Sequence, residues 1–271
     1  IYIVPVGIEY GSYFRYRSTC LISYGKAINV TEFIKGLDVE NEAQVMEPLR
    51  KELASRMSEL ISYVKDDENL YSKWSLTRIL TCRFRDKGLA GNLSDNQSVI
   101  AQIERAAEEH PAKMQELLDK AAAFDKKIDK ADIDILSFKR KGLLFKAIWK
   151  GLAAIAGLPF FIFSAVAALP MWGAAWFIRR GLKDPAFGNT VNLGVKIVGT
   201  LIWLPLLTIV LFLTTPWFIA AGLVLASIPA YSYFYDYQDF VRILISDCRL
   251  MQRKDLRKEF KEIENSFIDL L

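Results

Sequence analysis

Apolar and polar positions change rhythm along this chain. Ile and Val dominate from Tyr2 to Glu9, and Thr19 to Tyr24 is a second β-prone run that ends at Gly25. This pattern predicts two strands, joined by an aromatic and basic loop, Gly11 to Ser18. A lone pair of strands is marginal in water and leaves open edges, so residues 1–40 read as the last strands of a larger sheet.

From residue 41 to 138 the period becomes helical. Met46, Leu49, Leu53, Met57, Leu60, Ile61 and Val64 recur mostly at three- and four-residue steps, as one face of a helix does. Ser94-Asp95-Asn96-Gln97 has the form of a capping box ahead of Val99, Ile100 and Ile103, which predicts a helix start there. Pro111 suits the first turn of a further helix carrying Met114, Leu117, Leu118, Ala121 and Phe124.

The next segment, residues 139–235, holds two runs without charge, Gly151 to Ile178 and Ile197 to Tyr235. Each exceeds the roughly 20 residues that one spanning helix needs. As a single helix the second run would be about 58 Å long, nearly twice the hydrocarbon thickness. It is expected to fold back at Thr214-Thr215-Pro216.

The first run carries Gly157-Leu158-Pro159 and Leu169-Pro170, and fits either a tilted helix or a re-entrant hairpin. Charge favours hairpins. Lys139, Arg140, Lys141, Lys146 and Lys150 precede it; Arg179, Arg180 and Lys183 follow it; Arg242, Arg249, Arg253 and Lys254 follow the second run. If all three flanks lie on the cytoplasmic side, as the positive-inside rule expects, each run leaves and returns on one face.

Residues 236–271 are highly charged, with Leu256, Phe260, Ile263, Phe267 and Leu270 at helical spacing. They predict an amphipathic helix that packs on the protein or lies on the membrane.

Composition sharpens this reading. Of 271 residues 52% are hydrophobic, high for a chain wholly in water, so membrane lipids are expected partners. The 35 Lys and Arg are interleaved with 31 Asp and Glu for a net charge of +4, which provides no field to steer a nucleic acid. Cys20, Cys82 and Cys248 are widely spaced and odd in number, unlike a disulfide framework or a zinc site. No metal and no cofactor is predicted.

A search for catalysis returns little. His110 is the one histidine, between two predicted helices. Asp66-Asp67, Glu108-Glu109, Asp132 and Asp134 read as solvated faces or caps. The glycines at 7, 11, 25 and 36 make no phosphate loop.

The opening residues carry a resemblance. "IYIVPVGIEY", then "FRYRS", then "LISYGKAI" resembles the last signature block of the glycerolipid acyltransferases, the glycerol-3-phosphate and 1-acylglycerol-3-phosphate enzymes. The matching positions are Val4, Pro5, Val6, Tyr10, Arg17, Ser18, Gly25, Lys26, Ala27 and Ile28. Downstream, "GLPFFIFSAVAALPMW" and "RRGLKDPAFGNTVNLGVKIV" resemble the membrane segments of bacterial and fungal members. There Lys183, Asp184, Pro185 and Phe187 form a membrane-loop motif, with Asp184 initiating a turn and Phe187 anchoring at the interface.

The resemblance implies an α-rich membrane protein: the remnant of an α/β acyltransferase sheet, a helical insert, membrane hairpins and a C-terminal amphipathic helix. It implies acyl transfer from acyl-CoA or acyl carrier protein to glycerol 3-phosphate or lysophosphatidate. Val4, Pro5, Val6, Arg17 and Ser18 would border the substrate site, Pro5 at a sheet edge or bulge, Arg15 and Arg17 able to pair with a phosphate, and Tyr13, Phe14 and Tyr16 at the membrane interface.

The family's catalytic histidine and aspartate stand in a His-x-x-x-x-Asp block, whereas five residues after His110 comes Gln115. The Phe-Pro-Glu-Gly and Gly-x-x-Phe-x-x-Arg blocks are missing too. Family order puts all three ahead of the Val-Pro-Val strand, so the expectation is a C-terminal portion that has no catalytic residue in this chain and is inactive alone. The alternative is a non-catalytic membrane anchor or scaffold.

Overall fold

The computed structural model describes residues 1–11, 19–37, 42–65, 68–82, 88–140, 142–184 and 187–271. The described chain is mostly helical, with two small antiparallel sheets. It forms two compact units: among the described residues, 1–11, 19–139 and 253–271 make one and 140–252 the other.

In the first unit the opening segment is two strands rather than one. Strand β1 (Tyr2–Ile3) pairs with β4 (Ile28–Asn29), and β2 (Val6–Tyr10) pairs with β3 (Cys20–Tyr24), with Val6 opposite Tyr24. The chain changes partner at Val4-Pro5, where a residue without an N–H leaves no ladder bond unmade. The Pro5 carbonyl accepts from the Gly25 amide at 2.9 Å. Gly7 lies so close to Leu60 that any Cβ would overlap the Leu60 carbonyl. Helix α1 (Val30–Lys35) starts at Asn29, whose side chain accepts from the Thr31 and Glu32 amides, a cap that satisfies donors the helix itself leaves free.

Helix α2 (Glu42–Ser58) stops short of the predicted stripe. Leu60, Ile61 and Val64 follow it outside any helix, and Val64 is buried there. Within α2 it is Val45 that is buried, while Met46 is exposed. A second expectation also fails: Ser94 to Gln97 lie inside α4 (Gly88–Glu109) and do not begin it. Their side chains bind elsewhere in the fold. Gln97 donates to the carbonyls of Glu59 and Ile61, at 2.8 and 3.1 Å.

The unit's core is built by α3 (Leu70–Thr81), α4, α5 (Pro111–Lys130) and α11 (Lys254–Ile268). Pro111 occupies the first turn of α5, and Met114, Leu117, Leu118, Ala121 and Phe124 are all buried. The C-terminal stripe belongs to this core. Leu256, Phe260, Ile263 and Phe267 are buried, and α11 packs on α5 and α3. Phe124 touches both Phe138, on the short α6 (Leu136–Lys139), and Phe260, with ring centroids 5.6 and 6.1 Å apart.

The second unit is α7 (Leu143–Ala167), α8 (Leu169–Arg180), α9 (Gly188–Thr214) and α10 (Trp217–Gln252). Three of these, α7, α9 and α10, are long and apolar enough to cross a membrane. The first apolar run breaks at Ala168, just before Pro170, while Pro159 stays within α7. Thr215 and Pro216 turn the second run, joining α9 to α10. Helix α10 continues through Asp236 without a break.

Side-chain bonds fix the order of levels. On α10, Tyr233 reaches the Gly157 carbonyl and Tyr237 the Ala154 carbonyl, at 3.2 and 2.8 Å, so α7 and α10 run antiparallel. Lys196 on α9 donates to Ser232 at 2.9 Å, and Trp203 donates to the Ala167 carbonyl at 2.7 Å. The α7–α8 corner is therefore level with Trp203, part-way along α9, while α9 continues for eleven residues to Thr214. That remainder is about 16 Å of helix.

Candidate functional site

The positions singled out by the resemblance fall in separate places. In the first unit, Pro5 is buried, Val6 half-buried and Val4 exposed, at the crossing between the two sheets. Arg17 and Ser18, with Tyr13, Phe14, Arg15 and Tyr16, lie outside the described residues. In the second unit, Lys183, Asp184 and Phe187 follow α8, and Pro185 lies outside the described residues. The Phe187 amide donates to the Asp184 carbonyl at 3.3 Å. Phe187 itself is exposed.

The β2–β3 hairpin is held in place by a carboxylate that sequence reasoning passed over. Glu9 of β2 accepts through Oε1 from the Ser62 hydroxyl at 2.9 Å and from the Asn96 amide at 3.3 Å. Asn96 also donates to Ser62 at 3.2 Å. Its second oxygen, Oε2, is buried and has no partner among the described residues. Strand, post-α2 segment and α4 thus meet at one acid. The signal in the sequence was a single charge within a β-rich apolar run, at a position where alternation allowed either face.

Asp125 of α5 is the second missed acid, 1% exposed. Its Oδ2 accepts from Ser75 and from Arg78, both at 3.0 Å, and from Tyr71 at 3.4 Å. Burial and the negative charge of Asp125 push the Tyr71 phenol above its ordinary range. The same two causes, burial first and then Asp125, raise the Asp129 carboxyl. Ser75 is itself fully buried, so no substrate reaches this pair, and it clamps α3 to α5. Position 125 lies one helical repeat from Leu118 and one turn from Ala121 and Ile128, which marks it as core-facing.

The third is Asp247 of α10, fully buried between Arg140 at 2.5 Å and Lys150 at 2.7 Å. Two cations facing one buried carboxylate satisfy its charge and join the start of α7 to the far end of α10. His110 precedes α5 and makes no side-chain cap. Among the described residues no three His, Cys, Asp or Glu side chains gather as a metal-binding group. Among the described residues these buried acids are ties between elements, and no nucleophile and base are held together in an open cleft.

No protein-family model, no curated protein and no solved structure matches the chain.

Proposed function

We propose that the chain serves a membrane-bound glycerolipid acyltransferase as its membrane unit and as one border of the acyl-transfer site. The transfer would run from acyl-CoA or acyl carrier protein to glycerol 3-phosphate or lysophosphatidate. The observation that carries the reading is the pairing of the motif's two halves: "VPVGIEY" and "LISYGKAI" are adjacent strands, closed by the Gly25-to-Pro5 bond. Three helices apolar enough for a bilayer supply the setting that a lipid acceptor requires. Val4, Pro5, Val6, Arg17 and Ser18 would line the border, and Lys183 to Phe187 the membrane loop.

Acyl transfer needs a base for the acceptor hydroxyl, and His110, beside Gln115 rather than an acid at the required spacing, is not that base. The test measures transfer of labelled acyl groups in membranes expressing either residues 1–271 or the reading frame in which they lie. Activity from the frame, with none from 1–271, is expected. Turnover by 1–271 alone, or a frame lacking His-x-x-x-x-Asp ahead of Ile1, overturns the proposal and leaves the scaffold reading.

A further inference from the structure

Helices α8 and α9 leave a groove between them of about 550 Å³. Pro170, Ala174 and Ile178 form one wall, and Gly194, Val198 and Trp203 are on the other. It is dry in character: the indole N–H of Trp203 is engaged with the Ala167 carbonyl, and the other wall side chains named offer only carbon. From Val191 to Trp203 the groove runs about 18 Å at the helical rise, close to the depth of one leaflet of a 30 Å core. Its lining is almost wholly apolar along that length, which suits a hydrocarbon chain.

Lys196 of α9 turns to Ser232 of α10, and the other charge on α8 and α9 stands at one end. Arg179 and Arg180 close α8, and the Arg179 guanidinium lies beside Gly188, where α9 begins. Arg180 stacks on Trp176 with its guanidinium carbon 3.5 Å from the ring centroid, a placement typical of the headgroup level. Among the described residues neither arginine has a carboxylate within ion-pair distance. A guanidinium without an acid, at the mouth of an apolar slot of leaflet depth, matches a phosphate on a fatty chain.

We propose that this groove is a binding site for one acyl chain of an anionic bilayer phospholipid, whose phosphate sits on Arg179. The proposal stands on the bilayer setting of the second unit and is independent of acyl transfer.

The site can be filled without strain. A Cβ on Gly194 meets nothing within 4 Å, and the same is true of Gly222 on α10, away from the groove. The full chain is placed in phosphatidylcholine vesicles containing phosphatidylglycerol with a mid-chain diazirine, irradiated, and mapped by peptide mass spectrometry. Labelling should concentrate within residues 170–203. Gly194→Leu should lower it about tenfold, and Gly222→Leu should leave it unchanged. Arg179→Gln should cut the preference for the anionic lipid over an equally tagged phosphatidylcholine about tenfold, roughly 1.4 kcal/mol, and Arg180→Gln, on the Trp176 side of α8, should change it much less.

Even labelling over the outward faces of α7, α9 and α10, equal loss in the two glycine variants, or equal labelling by both lipids overturns the proposal. Circular dichroism and gel filtration check each variant's fold. If Gly194→Leu misfolds, Ala174→Leu fills the opposite wall and is read in the same way.

Discussion

The two units bury different things. The interior of the first is made of large side chains: Leu76, Ile79, Ile103, Met114, Phe124 and Ile128 are all almost wholly enclosed. In the second, many enclosed positions are small, as at Ala168, Ala175, Ala220 and Ala230, around a few large ones such as Tyr231 and Leu250, while Leu201, Leu213, Trp217 and Phe218 face outward. Water expels apolar surface and so drives the first core together. Lipid tails do not, and helices there associate through close backbone approach and side-chain bonds. Gly157 shows the second logic: a Cβ would stand 2.6 Å from the Tyr233 hydroxyl. The tyrosines of α10 bond to α7 carbonyls because the small residues let them come near.

This contrast ranks the mutations. Phe124→Ala opens a cavity where three aromatic rings meet and should cost about 4 kcal/mol, read as a lower midpoint in denaturant for the first unit. A change near zero would remove the large-residue core from the account. Asp247→Ala leaves Arg140 and Lys150 facing a buried gap and should cost about 3 kcal/mol. It should appear as a lower thermal midpoint in detergent, with Asp247→Asn less severe. Equal stability of wild type and Asp247→Ala would mean the triad is not buried in solution.

Smaller effects probe the small-residue contacts. Ala230→Leu should cost about 2 kcal/mol by forcing α10 from its neighbours, whereas Gly222→Leu, in open space, should be tolerated. If the two are equally harmful, close packing is not what holds these helices. Tyr237→Phe removes the 2.8 Å bond to Ala154 and should cost about 0.6 kcal/mol, the usual worth of such bonds in membranes.

The least effect is a pH dependence in the first unit. The Asp129 carboxyl is raised by burial and by Asp125, so the folded state holds its proton more tightly than the unfolded state does. Stability from this group is complete below its unfolded pKa and is lost as pH rises through the folded one. Asp129→Asn should therefore raise the melting midpoint at pH 7, and this gain should fade as the pH drops toward 4. A gain that grows on acidification would reverse the assignment.

Legibility differed for physical reasons. Helix α5 could be read directly, since Pro111 is well suited to a first helical turn and the stripe behind it keeps one face. The turn at Thr214-Thr215-Pro216 was equally plain, because length forbade a straight helix and proline supplied the break. The end of α2 was not legible: Leu60 and Val64 keep helical spacing, yet Val64 is buried and Leu60 packs on Gly7 and Gly25 from a non-helical segment. Periodicity reports burial, not backbone.

The false helix start at Ser94 has a related cause. Serine, asparagine and glutamine there could satisfy a helix end, but Asn96 and Gln97 bond to distant residues that only folding brings near. For the same reason Glu9, Asp125 and Asp247 did not stand out; their partners lie 53, 50 and 107 positions away. The change of strand partner at Pro5 was half visible, as an edge or bulge, and the two pairs it separates were not.

The arrangement that the flanking charge predicts is one membrane hairpin of α7 and α8 and another of α9 and α10. It is tested by single cysteines at positions 151, 178 and 215, in a chain whose native cysteines are replaced, labelled from each side of sealed, oriented vesicles. Positions 151 and 178 should react from one side and position 215 from the other. Opposite sides for 151 and 178, or one side for 178 and 215, would contradict the two-hairpin account.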